Sequence, residues 1–119
     1  MKEPKRIDSI DGLLTEFAYQ LRLILSEMQR LGWDPEVIET TRTQERQDWL
    51  YSIGRRAKRG EVPVTWTRHS LHQDGFAADV ISRTRGYDAP EFYKALSKVA
   101  VSHQCRTLPW DKCHVQLDC

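Results

Sequence analysis

The sequence lacks a long apolar run, a C-x-x-C pair and any surplus of charge, and each absence removes a class of protein. Nothing approaches the ~20 consecutive apolar residues that a membrane-spanning helix needs. The first residues, Met1-Lys2-Glu3-Pro4-Lys5-Arg6-Ile7-Asp8, carry positive charge, but Asp11, Glu16, Gln20 and Arg22 interrupt the next stretch. No signal-peptide h-region is present there, so synthesis in the cytoplasm and no membrane partner are expected. Three cysteines, Cys105, Cys113 and Cys119, stand near the C-terminus. An odd count without metal-type spacing is a poor disulfide framework and a poor structural zinc site. Reduced, partly buried thiols are expected, with a Cys105–Cys113 bridge across a hairpin as the alternative. Eighteen basic and seventeen acidic residues give a formal charge of +1. That balance, with no aromatic–basic alternation around the run Arg55-Arg56-Ala57-Lys58-Arg59-Gly60, makes a nucleic-acid binder the weakest reading, and no nucleic-acid partner is expected. Repeats, linkers and low-complexity tracts are also missing.

What is present describes one domain, residues 1–119, long enough to bury roughly 65% of its unfolded surface. A monomer is the default. Leu13, Leu14, Phe17, Ala18, Leu21, Ile24, Leu25, Met28 and Leu31 recur at helical spacing. They predict one amphipathic helix over 9–31, capped by Ser9 or Asp11 and stopped by Gly32. Trp33-Asp34-Pro35 reads as a turn and Val37–Thr41 as a short strand, with Arg42 at its end. Gln44–Ile53 reads as a second helix closed by Gly54, with Trp49, Leu50 and Ile53 facing inward. The adjoining basic run reads as a solvated loop or a contact for an anionic substrate, and Val62–Trp66 as an edge or irregular strand because of Pro63. Ala77–Ser82 should be a strand. Asp88-Ala89-Pro90-Glu91 should start a third helix, capped by Asp88 and running to about Ser102. Two short strands should flank Leu108-Pro109-Trp110. The class is α+β: about three helices packed on a small, mostly antiparallel sheet.

Two polar clusters carry the chemistry. The first is Ser70-Leu71-His72-Gln73-Asp74-Gly75-Phe76-Ala77-Ala78-Asp79; the second is Asp111-Lys112-Cys113-His114. The His72–Asp79 spacing suits a loop that turns at Gly75 and enters a strand, where Ala77, Asp79 and Ile81 share one face. Ala77 leaves room beside Asp79. On the last strand His114 shares a face with Gln116, while Cys113, Val115 and Leu117 face the other way. Catalytic zinc takes three His or Asp ligands and keeps one position open. A carboxylate beside the metal, such as Asp111, suits a general base. From spacing alone, His72 and Asp79 also fit a hydrogen-bonded surface pair, His69 and His103 remain ligands by type, and Gln116 also fits a solvated position.

The pattern Ser70-x-His72-x-x-Gly75-x-Ala77-x-Asp79, followed by Trp110-Asp111-x-x-His114, resembles the LAS group of zinc peptidases. That group takes in D-Ala-D-Ala carboxypeptidases and dipeptidases, and L-alanyl-D-glutamate endopeptidases found among phage endolysins. Arg42-Thr43-Gln44-Glu45-Arg46-Gln47-Asp48-Trp49-Leu50-Tyr51-Ser52-Ile53-Gly54-Arg55 is similar to the group's R-S-x-x-x-Q-x-x-L-Y-x-x-G-R helix, with Thr43 for serine. The resemblance covers about residues 37–117 and leaves the first helix without a motif. It implies a hedgehog/D-Ala-D-Ala-peptidase-like fold and one zinc ion per chain on His72, Asp79 and His114. It also implies Asp111 as catalytic base, Arg42 on the scissile carbonyl or oxyanion, and Ser70 and Gln47 as contacts to substrate or to the site's supporting residues. Cys113 stands where many relatives have proline, and Gln116 where many have glutamate. The implied function is hydrolysis of the peptidoglycan stem peptide at its L-Ala–D-Glu bond by a phage or prophage endolysin, held in the cytoplasm until a holin releases it to the cell wall. The alternatives are a D-Ala-D-Ala carboxypeptidase or dipeptidase, and a non-catalytic zinc-binding domain of the same fold.

Overall fold

The computed structural model describes residues 2–53 and 70–118. The basic run 55–60, the Val62–Trp66 segment, Gly54, His69 and Cys119 lie outside the described residues. In chain order the elements are α1 (Thr15–Arg30), β1 (Pro35–Glu39), α2 (Gln44–Ser52), β2 (Ala77–Ser82), α3 (Pro90–Ser102), β3 (Cys105–Leu108) and β4 (Asp111–Leu117), with a 3-10 turn over Ile10–Gly12 before α1. The sheet order is β1-β2-β4-β3, and every pairing is antiparallel. An α+β domain with three helices on a small antiparallel sheet is therefore what the chain forms.

Phe17, Leu21, Ile24 and Met28 of α1 meet Phe92, Leu96 and Ala100 of α3 over Ala78, Val80 and Val115 of the sheet, all in one buried cluster. Full burial of each large side chain is worth about 1.5–3 kcal/mol, and this layer sets the plane of β2 and β4. Their other face carries the polar residues. Strand alternation thus sorts Ala78 and Val80 into the core and leaves Ala77 and Asp79 on the site side.

Several boundaries differ from expectation. The helix predicted over 9–31 is broken before Thr15. Leu14 adopts an extended conformation (φ −51°, ψ 134°), and its N–H is donated to the carbonyl of Gly75 at 3.1 Å instead of to a helical partner. Neither Ser9 nor Asp11 caps by its side chain; Asp11 pairs with Arg22 at 2.7 Å. At the other end Gly32 (φ +95°) closes α1 as expected, with the N–H of Gly32 on Gln29 and that of Trp33 on Met28, a Schellman arrangement. Leu14 and Leu31, members of the apolar series, are exposed.

The first strand starts earlier than Val37 and stops at Glu39, because Thr40 turns its N–H to the carbonyl of Ile7 at 2.7 Å. Pro35 is tolerated there as the first residue of an edge strand. Helix α2 ends at Ser52, with Trp49 and Ile53 buried and Leu50 only partly so. Asp88 does not cap α3. Ala89 occupies the N-cap position without a side-chain bond, one residue later than expected, with Pro90 opening the helix. Cys105 and Cys113 are buried free thiols.

Candidate metal centre

Three side chains converge on the polar face of the sheet. Asp79 on β2 lies opposite His114 on β4 and opposite Glu39 on β1, so one row crosses three strands. Directly opposed residues place their Cβ atoms about 4.5–5.5 Å apart. His72 enters from the loop before β2. Its turn is closed by the N–H groups of Gln73, Asp74 and Gly75 on the carbonyls of Ser70, Leu71 and His72. Gly75 reverses the chain at φ +79°, and a Cβ there would lie 2.8 Å from the backbone nitrogen of Leu14. Only glycine satisfies both conditions. The loop is thereby pressed against the start of α1.

His72 Nε2 lies 3.4 Å from Asp79 Oδ1, and His114 Nδ1 lies 3.8 Å from the same oxygen. One ligand atom from each of the three residues falls within 4.8 Å of the others. The imidazoles meet edge to face, with centroids 5.2 Å apart. Their outward nitrogens are already engaged. His72 Nδ1 is 2.8 Å from the carbonyl oxygen of Thr40, which can only accept, so the proton sits on Nδ1 and the Nε2 lone pair faces inward. His114 Nε2 is 3.0 Å from Gln116 Oε1, which places its proton on Nε2 and leaves the Nδ1 lone pair facing inward. Asp79 Oδ1 is buried and has no hydrogen-bond donor among the described residues.

Two inward lone pairs and an orphaned carboxylate oxygen are what a divalent cation requires and what a hydrogen-bonded pair would not leave. Electrostatics agree with that fit. Burial above all pushes His114 down, which favours the neutral ring. Burial opposes ionisation of Asp79, but its surroundings, the Arg42 guanidinium among them, outweigh it and hold the carboxyl below its ordinary range. His, His and Asp is a catalytic zinc donor set, with a fourth position left for water or substrate.

Asp111 opens β4 and is half exposed, its Oδ2 4.0 Å from His114 Nδ1. Its Oδ1 accepts the thiol of Cys113 at 3.4 Å. Burial pushes that thiol far up, so it remains a donor. Arg42 is nearly buried. Its Nε and NH2 donate to the two oxygens of Glu39 at 3.2 and 2.8 Å, and NH1 donates to Gln47 Oε1 at 2.8 Å. NH2 is also 3.8 Å from Asp79 Oδ2.

The remaining expected residues surround this group. Gln47 is fully buried behind Arg42, and Ser70 Oγ accepts the N–H of His72 at 3.1 Å. His103 is elsewhere, paired with Glu27 at 2.7 Å. Two functional neighbours escaped sequence reasoning, Glu39 and the carbonyl of Thr40. The spacing of Glu39 three residues before Arg42 was the available signal for the first. A backbone carbonyl leaves none.

No family model matches the sequence, and no curated protein matches it. Solved structures do. The LD-carboxypeptidase LdcB matches with a TM-score of 0.70 at 18% identity, over 96% of this chain and 62% of that one, so the chain spans about three fifths of that relative. A variant of the vancomycin-resistance D,D-pentapeptidase VanY, in complex with Zn(II), matches with a TM-score of 0.72 at 16% identity, over 97% of this chain and 78% of that one. The L-Ala D-Glu endopeptidase ChiX of Serratia marcescens matches with a TM-score of 0.66 at 20% identity, over 95% of this chain and 90% of that one. The chain has the fold of these peptidases, as the motifs implied.

Proposed function

We propose that this chain is a zinc-dependent peptidase that hydrolyses the peptidoglycan stem peptide. The observation that carries the reading is the convergence of His72 Nε2, Asp79 Oδ1 and His114 Nδ1, with both imidazole tautomers fixed and the Asp111 carboxylate beside them. Zinc held there would supply Lewis acidity, polarising a carbonyl and acidifying a water molecule. Among the described residues, Asp111 is a carboxylate beside this group that neither belongs to it nor is paired with an arginine. It accepts the proton of the attacking water and delivers it to the leaving nitrogen as the amide C–N bond breaks. Arg42 keeps one N–H on each of NH1 and NH2 beyond its bonds to Glu39 and Gln47, and these serve the developing oxyanion. A purely structural metal domain has no use for Asp111 or for an arginine held in this way.

The bond we assign is L-alanyl–D-glutamate. Support comes from the motif resemblance, which implies this bond, and from the likeness to ChiX, which this chain matches over 90% of that protein's length. The likeness to VanY favours a second reading, removal of terminal D-alanine. Mass spectrometry of purified peptidoglycan incubated with the zinc-loaded protein separates them. New N-terminal D-glutamate supports the first, released D-alanine replaces it with the second, and no product removes the peptidase assignment.

We further propose a phage or prophage endolysin that acts as a monomer on the wall after release from the cytoplasm. Expression with and without a co-expressed holin tests the role. Lysis that needs both supports it, and lysis without the holin sinks it.

A further inference from the structure

Glu39 is buried among charges, yet it is neither a metal ligand nor within the motifs that pointed to the site. Its carboxylate takes Nε and NH2 of Arg42 in a two-pronged bond and also takes Nε of Arg46. Arg46 is itself pinned, its NH1 donating to Glu3 Oε2 at 2.9 Å and to the carbonyl of Pro4 at 3.0 Å. Burial alone would raise Glu39, but the bonds to Arg42 and Arg46 outweigh it, so the carboxylate is charged. A chain of alternating charge therefore runs Glu3–Arg46–Glu39–Arg42–Asp79, from the N-terminal segment to the metal centre.

The last link matters most. Arg42 NH2 is 2.8 Å from Glu39 but 3.8 Å from Asp79 Oδ2. Both carboxylates compete for one guanidinium, and Glu39 holds it by the planar edge that suits two parallel bonds. Without Glu39, Arg42 would close on Asp79 and occupy a carboxylate that the metal needs. It would also turn away the N–H groups proposed for the oxyanion. Arg46 prevents the alternative, in which Glu39 follows Arg42 toward the site. Stability alone is a poor reason for this arrangement, because buried ion pairs are often no better than apolar side chains of the same volume.

We propose that Glu39 is a positioning residue that keeps the Arg42 guanidinium off Asp79, leaving Asp79 free for the metal and Arg42 facing substrate. The catalytic half of this rests on the peptidase reading; the metal-binding half does not. The test is a double-mutant cycle in the full chain, with zinc affinity measured by competition with a chromophoric chelator and hydrolysis measured in parallel. Glu39→Gln is expected to weaken zinc about tenfold and to lower kcat more than it raises KM. Adding Arg42→Ala should restore the zinc affinity of Arg42→Ala alone, since the competitor for Asp79 is then gone. Circular dichroism checks that each variant folds, and Glu39→Asp replaces Glu39→Gln in the same cycle if the latter does not fold. Zinc affinity unchanged in Glu39→Gln, or left weak in the double variant, overturns the proposal. A wild type that binds zinc but hydrolyses nothing removes the peptidase reading, while the affinity cycle still decides what Glu39 does for Asp79.

Discussion

The backbone N–H of Leu14 is donated to the carbonyl of Gly75 at 3.1 Å, tying the break before α1 to the turn that carries His72. Gly75 has φ +79° and no space for a Cβ, which would stand 2.8 Å from that same nitrogen. Gly75→Ala must therefore accept a left-handed backbone, at about 1–2 kcal/mol, and also push Leu14 away. A net loss of about 2 kcal/mol or more and a melting temperature lower by several degrees are expected. Because the displaced loop carries His72, zinc affinity should fall too. A variant that melts and binds zinc like the wild type would show that the contact is dispensable.

Gln116 fixes the tautomer of His114 by accepting its Nε2–H at 3.0 Å. Partners of this kind typically change metal affinity by about 10–100-fold. Gln116→Ala should weaken zinc toward the lower end of that range, while Gln116→Glu, which keeps the acceptor and adds charge, should bind at least as tightly as the wild type. Chelator competition gives both values. Equal affinities in all three proteins would take Gln116 out of the site.

Local signals made much of this fold readable. β2, α3 and the β3–β4 hairpin follow from β-branched content, from Pro90 with a helical apolar period, and from the Leu108-Pro109-Trp110 turn. The break before α1 had no such signal. Leu13 and Leu14 keep the helical period, and the partner that breaks the helix, Gly75, is close only after folding. The same holds for the site. The candidate ligand triad was visible through the motifs that carry the family resemblance. Glu39 offered only its spacing from Arg42, and Thr40 acts through a carbonyl oxygen, which has no residue-type signature.

Asp111 stands beside the triad without belonging to it, its Oδ2 4.0 Å from His114 Nδ1. Asp111→Ala should keep about one zinc per chain and lose about 10²–10⁴-fold in turnover, the range of general-base catalysis. Metal analysis and wall-peptide hydrolysis on the same sample test both halves. Retained turnover would transfer the base role elsewhere, and lost zinc would make Asp111 part of the metal site.

Asp34 joins the turn after α1 to the end of β2. Its carboxylate accepts Ser82 Oγ at 2.9 Å, the N–H of Thr84 at 2.8 Å and Thr84 Oγ1 at 2.6 Å, and its carbonyl accepts the N–H of Arg83. The Thr84 hydroxyl and N–H, with help from Ser82, hold the carboxyl down from 3.8 to about 2. A depressed folded value means that the ionised group stabilises the fold above its unfolded value of 3.8, and that this contribution is lost as pH falls through about 2. Asp34→Ala should therefore be less stable than the wild type at neutral pH, with the gap shrinking as the solution is acidified through that window. Paired urea melts at neutral pH and near the lower bound measure the difference while cancelling the titration of the other carboxylates. A gap that stays constant with pH would mean that the Asp34 side chain acts by shape and neutral hydrogen bonding alone, with its charge contributing nothing to the join between α1 and β2.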